Sequence, residues 1–399
     1  MSQQSVLTDQ SESEYLPWEN PEFVRAPWPW FDRLLTEKPI LVLDDGSVIV
    51  SKYADVMKFL KHPSLHAVPP GGIGDSPWAA NLNSVLLTEG DRHKRIRLTF
   101  AGWLTPKACR QWAQTAADSA RAALDQMGED GIIEAHRALG VQPAQDAMAD
   151  ALGVEREDGF PYIHATNLTM MAMGWNPSPD EVTRAHEGFG YMMFQAERLI
   201  EEKRRNPGDG LLDAMIKAVD EGGLTERELK ESIQILWGSA AHNPGHALAT
   251  ALVDFAENPH VFTAYKENPD VRDAILGEVF RRALPEVALD RFTTEPLEIH
   301  DLTVPPGTRI RFILGAALRD PDVFSNPDEF DYTRPKETLA LAFGLGIHNC
   351  AGQAIARAVA RAVLDVIADR YHMIEIIGEP VWHNSDRHRN CEGLTVRLR

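Results

Sequence analysis

One thiol stands where metal chemistry is possible. Cys350 lies in the run Phe343-Gly344-Leu345-Gly346-Ile347-His348-Asn349-Cys350-Ala351-Gly352, just before an apolar-periodic stretch (Ala354, Ile355, Ala358, Val359, Val363) that predicts a helix. Backbone N–H groups at a helix start favour a thiolate, the form that ligates a metal. Gly344 and Gly346 admit backbone conformations closed to residues with a Cβ, so the loop can turn tightly. Gly352 keeps the first helical turn clear for close approach of a flat ligand. A lone cysteine in a glycine-rich loop is ordinarily a small buried core residue; Phe, Gly, His and Cys at this spacing are more specific. A second chemical feature is the pair His93 and Arg97, which share one helix face within Gly90-Asp91-Arg92-His93-Lys94-Arg95-Ile96-Arg97. A third is Glu278 with Arg281, an acid and a base one helical turn apart.

The elements that position these groups are mostly helical. Pro27 to Lys38 carries a helical apolar pattern. Ile40 to Leu43 and Val48 to Val50 flank Asp44-Asp45-Gly46 and predict a β-hairpin. Val68 to Trp78, rich in Pro and Gly, predicts a long surface loop. Ala108 to Glu257 reads as mostly amphipathic helix, with Thr225 and Glu228 spaced as a capping box. Ile233 to Phe255 is apolar on nearly all sides and predicts a buried central helix. Strand-like runs come late, at Thr308 to Ile313, Met373 to Ile377 and Leu394 to Leu398. The fold class expected is mainly α with a minor β region drawn from both ends of the chain. The expected organisation is a flexible polar leader over 1–20 and a single catalytic domain over 21–399.

Composition narrows the partners. The chain has 399 residues and a formal net charge of −19, which argues against general nucleic-acid binding, since phosphate contacts need clustered Lys and Arg. No apolar run reaches the ~20 residues of a membrane-spanning helix, and the N-terminus carries no secretory pattern. A cytoplasmic protein with no membrane partner is expected. Cys109, Cys350 and Cys391 are far apart and form no CxxC pair, a pattern unlike a disulfide scaffold or a zinc module.

Taken together, Phe-Gly-x-Gly-x-His-x-Cys-x-Gly resembles the haem-binding signature of the cytochrome P450 family, and the resemblance extends over most of the chain. It implies a P450 fold enclosing haem b, with Cys350 as axial ligand of the iron and Phe343, Gly344 and Gly352 shaping the loop around it. A thiolate ligand donates electron density to iron and favours O–O cleavage. Glu278, Arg281 and Arg334 match the family's Glu-Arg-Arg cluster, a buried brace for the loop. His93, Arg97, Arg291 and His348 match positions that bind the haem propionates, a charge-assisted arrangement. Ala317-Leu318-Arg319-Asp320-Pro321 matches the family's Arg-Asp-Pro turn. Ferredoxin and ferredoxin reductase are the electron donors the resemblance implies. Family position also places the wall of a small-molecule pocket at Leu86 and Leu87, Leu236 and Ala240, Val287 and Ala288, and Leu394. Met170, Met171, Met173, Met192 and Met193 are candidates for an adaptable lid.

The central helix departs from the family. Its usual Ala-Gly-x-Glu/Asp-Thr stretch is Ala240-Ala241-His242-Asn243-Pro244 here. Asn243 replaces the acid and is a poor proton relay, while Pro244 offers neither hydroxyl nor N–H. Pro244 strips the Ala240 carbonyl of its helical partner and Gly245 loosens the same turn, which predicts a kink with water at the opened carbonyl. His242 and His246 are read as one outward-facing and one packed residue. Three chemistries follow: a monooxygenase whose protons come from water or a polar substrate, a peroxide-using variant, or an oxidase directing radical C–C or C–N coupling of an aromatic substrate. Some natural-product tailoring members that lack the acid and alcohol couple indole-containing cyclic dipeptides. The resemblance therefore implies an oxidase of a mostly apolar, aromatic or indole-containing small molecule in secondary metabolism. A non-catalytic haem-binding sensor is the alternative of another class.

Overall fold

The computed structural model describes residues 12–18, 20–174, 177–382 and 387–399. Most of the leader expected over 1–20 lies outside them. Its described part is not a free arm: Glu12–Tyr15 is one helical turn, Tyr15 and Leu16 are buried, and the Tyr15 hydroxyl donates to Glu37 Oε2 at 3.2 Å. Residue contacts divide the chain into two compact units, each assembled from discontinuous segments.

The first unit comprises Met1–Gly72, Glu286–Asp328 and Asn384–His388. It holds a five-stranded sheet in the order Ile40–Val42, Val48–Val50, Arg309–Phe312, Leu289–Thr293 and Leu65–His66, in which only the second and third strands run parallel. The predicted hairpin forms, with Gly46 at φ +83° in its turn. Asp290 is buried among Arg309, Arg311 and Arg387, and Arg311 grips it through two contacts of 2.7 and 2.9 Å. Burial pushes the Asp290 carboxyl up, but these guanidiniums prevail and hold it well below the usual range.

The second unit is helical and is organised around Glu226–Glu257, a helix of 32 residues. The capping box forms as predicted: Glu228 N–H donates to Thr225 Oγ1 at 3.2 Å, and Thr225 N–H to Glu228 Oε2 at 2.9 Å. Around this helix pack Gln142–Leu152, Pro179–Arg205 and Gln353–Arg370, and the last of these also packs on Pro106–Asp125. Pro244 does not interrupt the helix. Gly245 has a packing reason: a Cβ there would sit 2.9 Å from Val141 Cγ2, and one at Gly140 would lie 2.6 Å from the Gly245 carbonyl oxygen.

Gly140 belongs to a π-helix, His136–Val141. The middle of the chain is thus less uniformly helical than its periodicity predicts. It also contributes a strand, Ile132–Glu134, which joins Thr395–Leu398 and Ile374–Ile376 in a three-stranded sheet. The surface loop expected over Val68 to Trp78 ends in a 3₁₀ turn, Pro77–Asn81, where Trp78 is buried against Phe189 rather than exposed. Among the described residues no single helix is long and apolar enough to cross a membrane.

Candidate active site

The loop that carries Cys350 is built from two short 3₁₀ helices, Lys336–Phe343 and Gly346–His348. Gly344 and Gly346 adopt φ of +68° and +73°, conformations a side chain would strain. Cys350 N–H donates to the Phe343 carbonyl at 2.8 Å and closes the loop. The helix Gln353–Arg370 starts just after Gly352, and Cys350 itself is exposed. A Cβ added at Gly352 would meet only the Cys350 Sγ, at 3.9 Å. The chain therefore leaves the face beside the sulfur open.

Behind the loop, Phe343 packs on Phe280 at 5.0 Å, and the Arg357 guanidinium lies over both rings. Glu278 is fully buried and accepts from Arg281 at 2.7 and 2.8 Å, from Arg334 at 3.3 Å and from Asp331 N–H at 3.3 Å. All three members of the expected Glu-Arg-Arg cluster thus meet. A buried acid with two cations and an amide N–H has the donors it needs, so the group is held rather than merely paired.

Three of the four residues proposed for propionate binding gather at the same loop. Arg97 donates to the carbonyls of Ile347 and Asn349 at 2.9 and 3.0 Å. His93 Nε2 lies 3.0 Å from the Ile347 oxygen, and its ring meets that of His348 edge to face at 4.7 Å. His348 Nε2 is 3.0 Å from Glu89 Oε1. Burial and the neighbouring His348 both push the His93 imidazolium towards its neutral form. Arg291 belongs to the first unit, on strand Leu289–Thr293, where it is buried with Nη1 donating to the Asp290 carbonyl at 2.7 Å. An accessible thiol at a helix start, an unfilled glycine beside it and a cluster of Arg and His donors fit a haem.

The central helix presents one accessible stripe on an otherwise buried body: Leu236, Ser239, Ala240 and Asn243 are at least partly exposed, and the residues between and around them are buried. Pro244 is buried beside the stripe. His242 and His246 are both buried, which corrects the expectation of one outward-facing residue. Aromatic packing is the reason: the two rings meet edge to face at 4.4 Å, and His246 stacks on His136 at 4.9 Å and 14°. Among the described residues no three His, Cys, Asp or Glu side chains form a metal cluster.

One residue, His136, was missed by sequence reasoning, and Ser239 entered only as part of the expected wall stretch Leu236 to Ala240. Ser239 was within reach, since it falls on the helical spacing that links Leu236 to Asn243. His136 gave no signal, because its partner lies far along the chain.

The expected pocket wall divides. Leu86 is exposed, while Leu87, Met170 and Met173 pack on the small cluster of Trp78, Phe189 and Ile235. Met192 is in the main core instead, so the five methionines do not act as one lid. Leu394 is buried in that core, and Val287 and Ala288 are buried in the first unit.

Comparison with known proteins agrees with this chemistry. The family described as "Cytochrome P450" matches residues 180–384. Cytochrome P450 105C1 of a Streptomyces species is 30% identical over 70% of this chain and 71% of its own length. Luteothin monooxygenase of Streptomyces thioluteus is 29% identical over 63% of this chain and 62% of its own length. In structure the chain is similar to P450BioI, solved with a fatty-acyl-loaded acyl carrier protein, at a TM-score of 0.87, with 22% identity, 95% of this chain and 99% of that one covered. The matched span takes in both Glu278 and Cys350, and on that ground this chain belongs to the cytochrome P450 family, oxidoreductases that carry haem b.

Proposed function

We propose that this chain is a haem-thiolate oxidase that couples or otherwise oxidises a mostly apolar, aromatic or indole-containing small molecule in secondary metabolism, by radical C–C or C–N bond formation. The observation that carries this reading lies on the central helix, where Asn243 on the stripe and the buried Pro244 beside it offer neither an ionisable group nor a hydroxyl. The haem supplies a strongly oxidising iron centre when bound. Cys350 would ligate the iron, Arg97, His93 and His348 would hold the propionates, and Glu278, Arg281 and Arg334 would keep the loop rigid. Leu236 and Ala240 supply apolar surface that favours a flat neutral molecule and excludes water. Electrons would come from a ferredoxin and its reductase, and a cytoplasmic location goes with that pairing.

A second reading, oxygen insertion, is favoured by the relative named as a monooxygenase. Turnover with a ferredoxin system, under oxygen-18 gas, on a panel of indoles, phenols and cyclic dipeptides separates the two. Coupling yields dimers or adducts without the label. A single labelled oxygen in every product would sink the coupling proposal.

A further inference from the structure

We propose that Ser239 and the carboxamide of Asn243 form a hydrogen-bond donor pair facing the iron site, and that His242 is the positioning residue that sets the carboxamide. This rests on the haem-thiolate reading above. Ser239 and Asn243 are four residues apart on one helix and so share a face, and that face is the accessible stripe.

Helical Ser and Thr commonly turn their hydroxyl back onto a carbonyl one turn earlier. Thr166 and Thr250 do so here, each at 2.9 Å. Ser239 does not: among the described residues its Oγ has no hydrogen-bond partner, although it is exposed. Its hydroxyl is therefore available to whatever occupies the space over the stripe.

Asn243 is held from the other side. Its Oδ1 lies 2.8 Å from His242 Nδ1, so the ring N–H donates and the amide oxygen is taken. The two amide N–H groups are left to donate elsewhere, on a side chain that is partly exposed on the stripe. His242 keeps this orientation because its ring lies edge to face on His246. His246 is fixed in turn, with Nδ1 2.9 Å from the Cys391 carbonyl oxygen and its ring stacked on His136. A carbonyl can only accept, so His246 Nδ1 bears the proton. Burial disfavours the charged form of His136 against the pull of Glu134 and Glu392, and a neutral ring stacks on His246 without repulsion.

The pair differs in kind from an acid and an alcohol. A carboxylate takes up and releases a proton; an amide N–H only donates a hydrogen bond, and a hydroxyl that passes a proton on must receive one from the next water. The stripe would thus polarise a bound ligand without itself changing charge.

The test uses the haem-loaded enzyme in its ferrous carbon monoxide complex, with the C–O stretch recorded in H₂O and D₂O by infrared or resonance Raman spectroscopy. Wild type should give one narrow band that moves on deuteration. In Ser239→Ala the band should rise in wavenumber and lose most of its deuterium shift, and Ser239→Thr should restore both. His242→Phe should split the band, as the carboxamide samples more than one orientation. His242→Gln, which keeps an N–H within reach of Asn243 Oδ1, should return it to one. A band unchanged in both Ser239→Ala and His242→Phe overturns the proposal. The Soret band of the same samples separates the failures: if wild type lacks the red-shifted thiolate band, the haem-thiolate reading falls first. Should His242→Phe fail to take up haem, the two Ser239 variants alone decide, because that side chain is exposed and its removal leaves no cavity.

Discussion

Gly140 and Gly190 invite the same substitution with opposite results. Both sit in helical segments, His136–Val141 and Pro179–Arg205. Alanine in a helix interior is favoured over glycine by about 1 kcal/mol. At Gly190 a new Cβ meets nothing within 4 Å, so the full gain should appear. At Gly140 the Cβ would be 2.6 Å from the Gly245 carbonyl oxygen and 3.2 Å from the Gly245 carbonyl carbon and Cα. All three are backbone atoms, so no rotamer change relieves the contact and the two helices must separate. Overpacking of that kind costs about 1–3 kcal/mol. Gly140→Ala should therefore be neutral to about 2 kcal/mol less stable than wild type, and Gly190→Ala about 1 kcal/mol more stable. Urea unfolding followed by circular dichroism reads this as midpoints that move apart with unchanged slope. If Gly140→Ala proves as stable as Gly190→Ala, the close approach of the π-helix to the central helix is wrong.

Three further outcomes follow. Glu278→Ala leaves Arg281 and Arg334 buried without their acid and should cost about 3–5 kcal/mol, measurable as a lowered urea midpoint; a loss below 1 kcal/mol would mean the arginines find other partners. Burial pushes the Glu228 carboxyl up, yet Arg95, the Thr225 N–H and Arg92 outweigh it and bring it to about 2 from an ordinary 4.5. A carboxylate depressed on folding adds stability above its unfolded value and loses it as pH falls. The stability gap between wild type and Glu228→Gln should hence be full above about 4.5 and close towards pH 2; Gln keeps the capping box, so a constant gap would refute the charge argument. Finally, Cys350→Ala should lose the red-shifted Soret band of the reduced carbon monoxide complex, whereas Arg97→Ala should keep its position and release haem faster to an apo-myoglobin trap; a retained band in Cys350→Ala would remove that residue as ligand.

Local chemistry was legible in the sequence wherever the signal is itself local. The Asp44-Asp45-Gly46 turn, the capping box at Thr225 and Glu228, and the glycines before Cys350 each follow from backbone conformations that few residues can adopt. The Glu278 cluster was legible only through resemblance, since spacing alone brings Arg281 to Glu278 but says nothing of Arg334. What escaped depends on distant partners. Ile132–Glu134 reads as helix in isolation and becomes a strand because Thr395–Leu398 offers it an edge. Gly245 looks like a loosened turn until Gly140 is set against it. His242 and His246, four apart, share one helix face, but nothing in the sequence says that this face is covered, and His136, stacked on His246, is part of what covers it.

That late strand carries a consequence for synthesis. Ile132–Glu134 pairs with residues near the far end of the sequence, and Leu394 N–H reaches Glu134 Oε1 across a separation of 260 residues. His246, which braces the ring next to Asn243, takes its own acceptor from Cys391. At about 5–20 residues per second, the central helix would leave the ribosome on the order of ten seconds before its anchor exists. During that interval His242 and Asn243 would lack their final support, and the nascent chain would expose the apolar flank of the helix. The final setting of His242 and Asn243 thus waits on the translation of Cys391, and a chain halted before that residue would lack the acceptor that fixes His246.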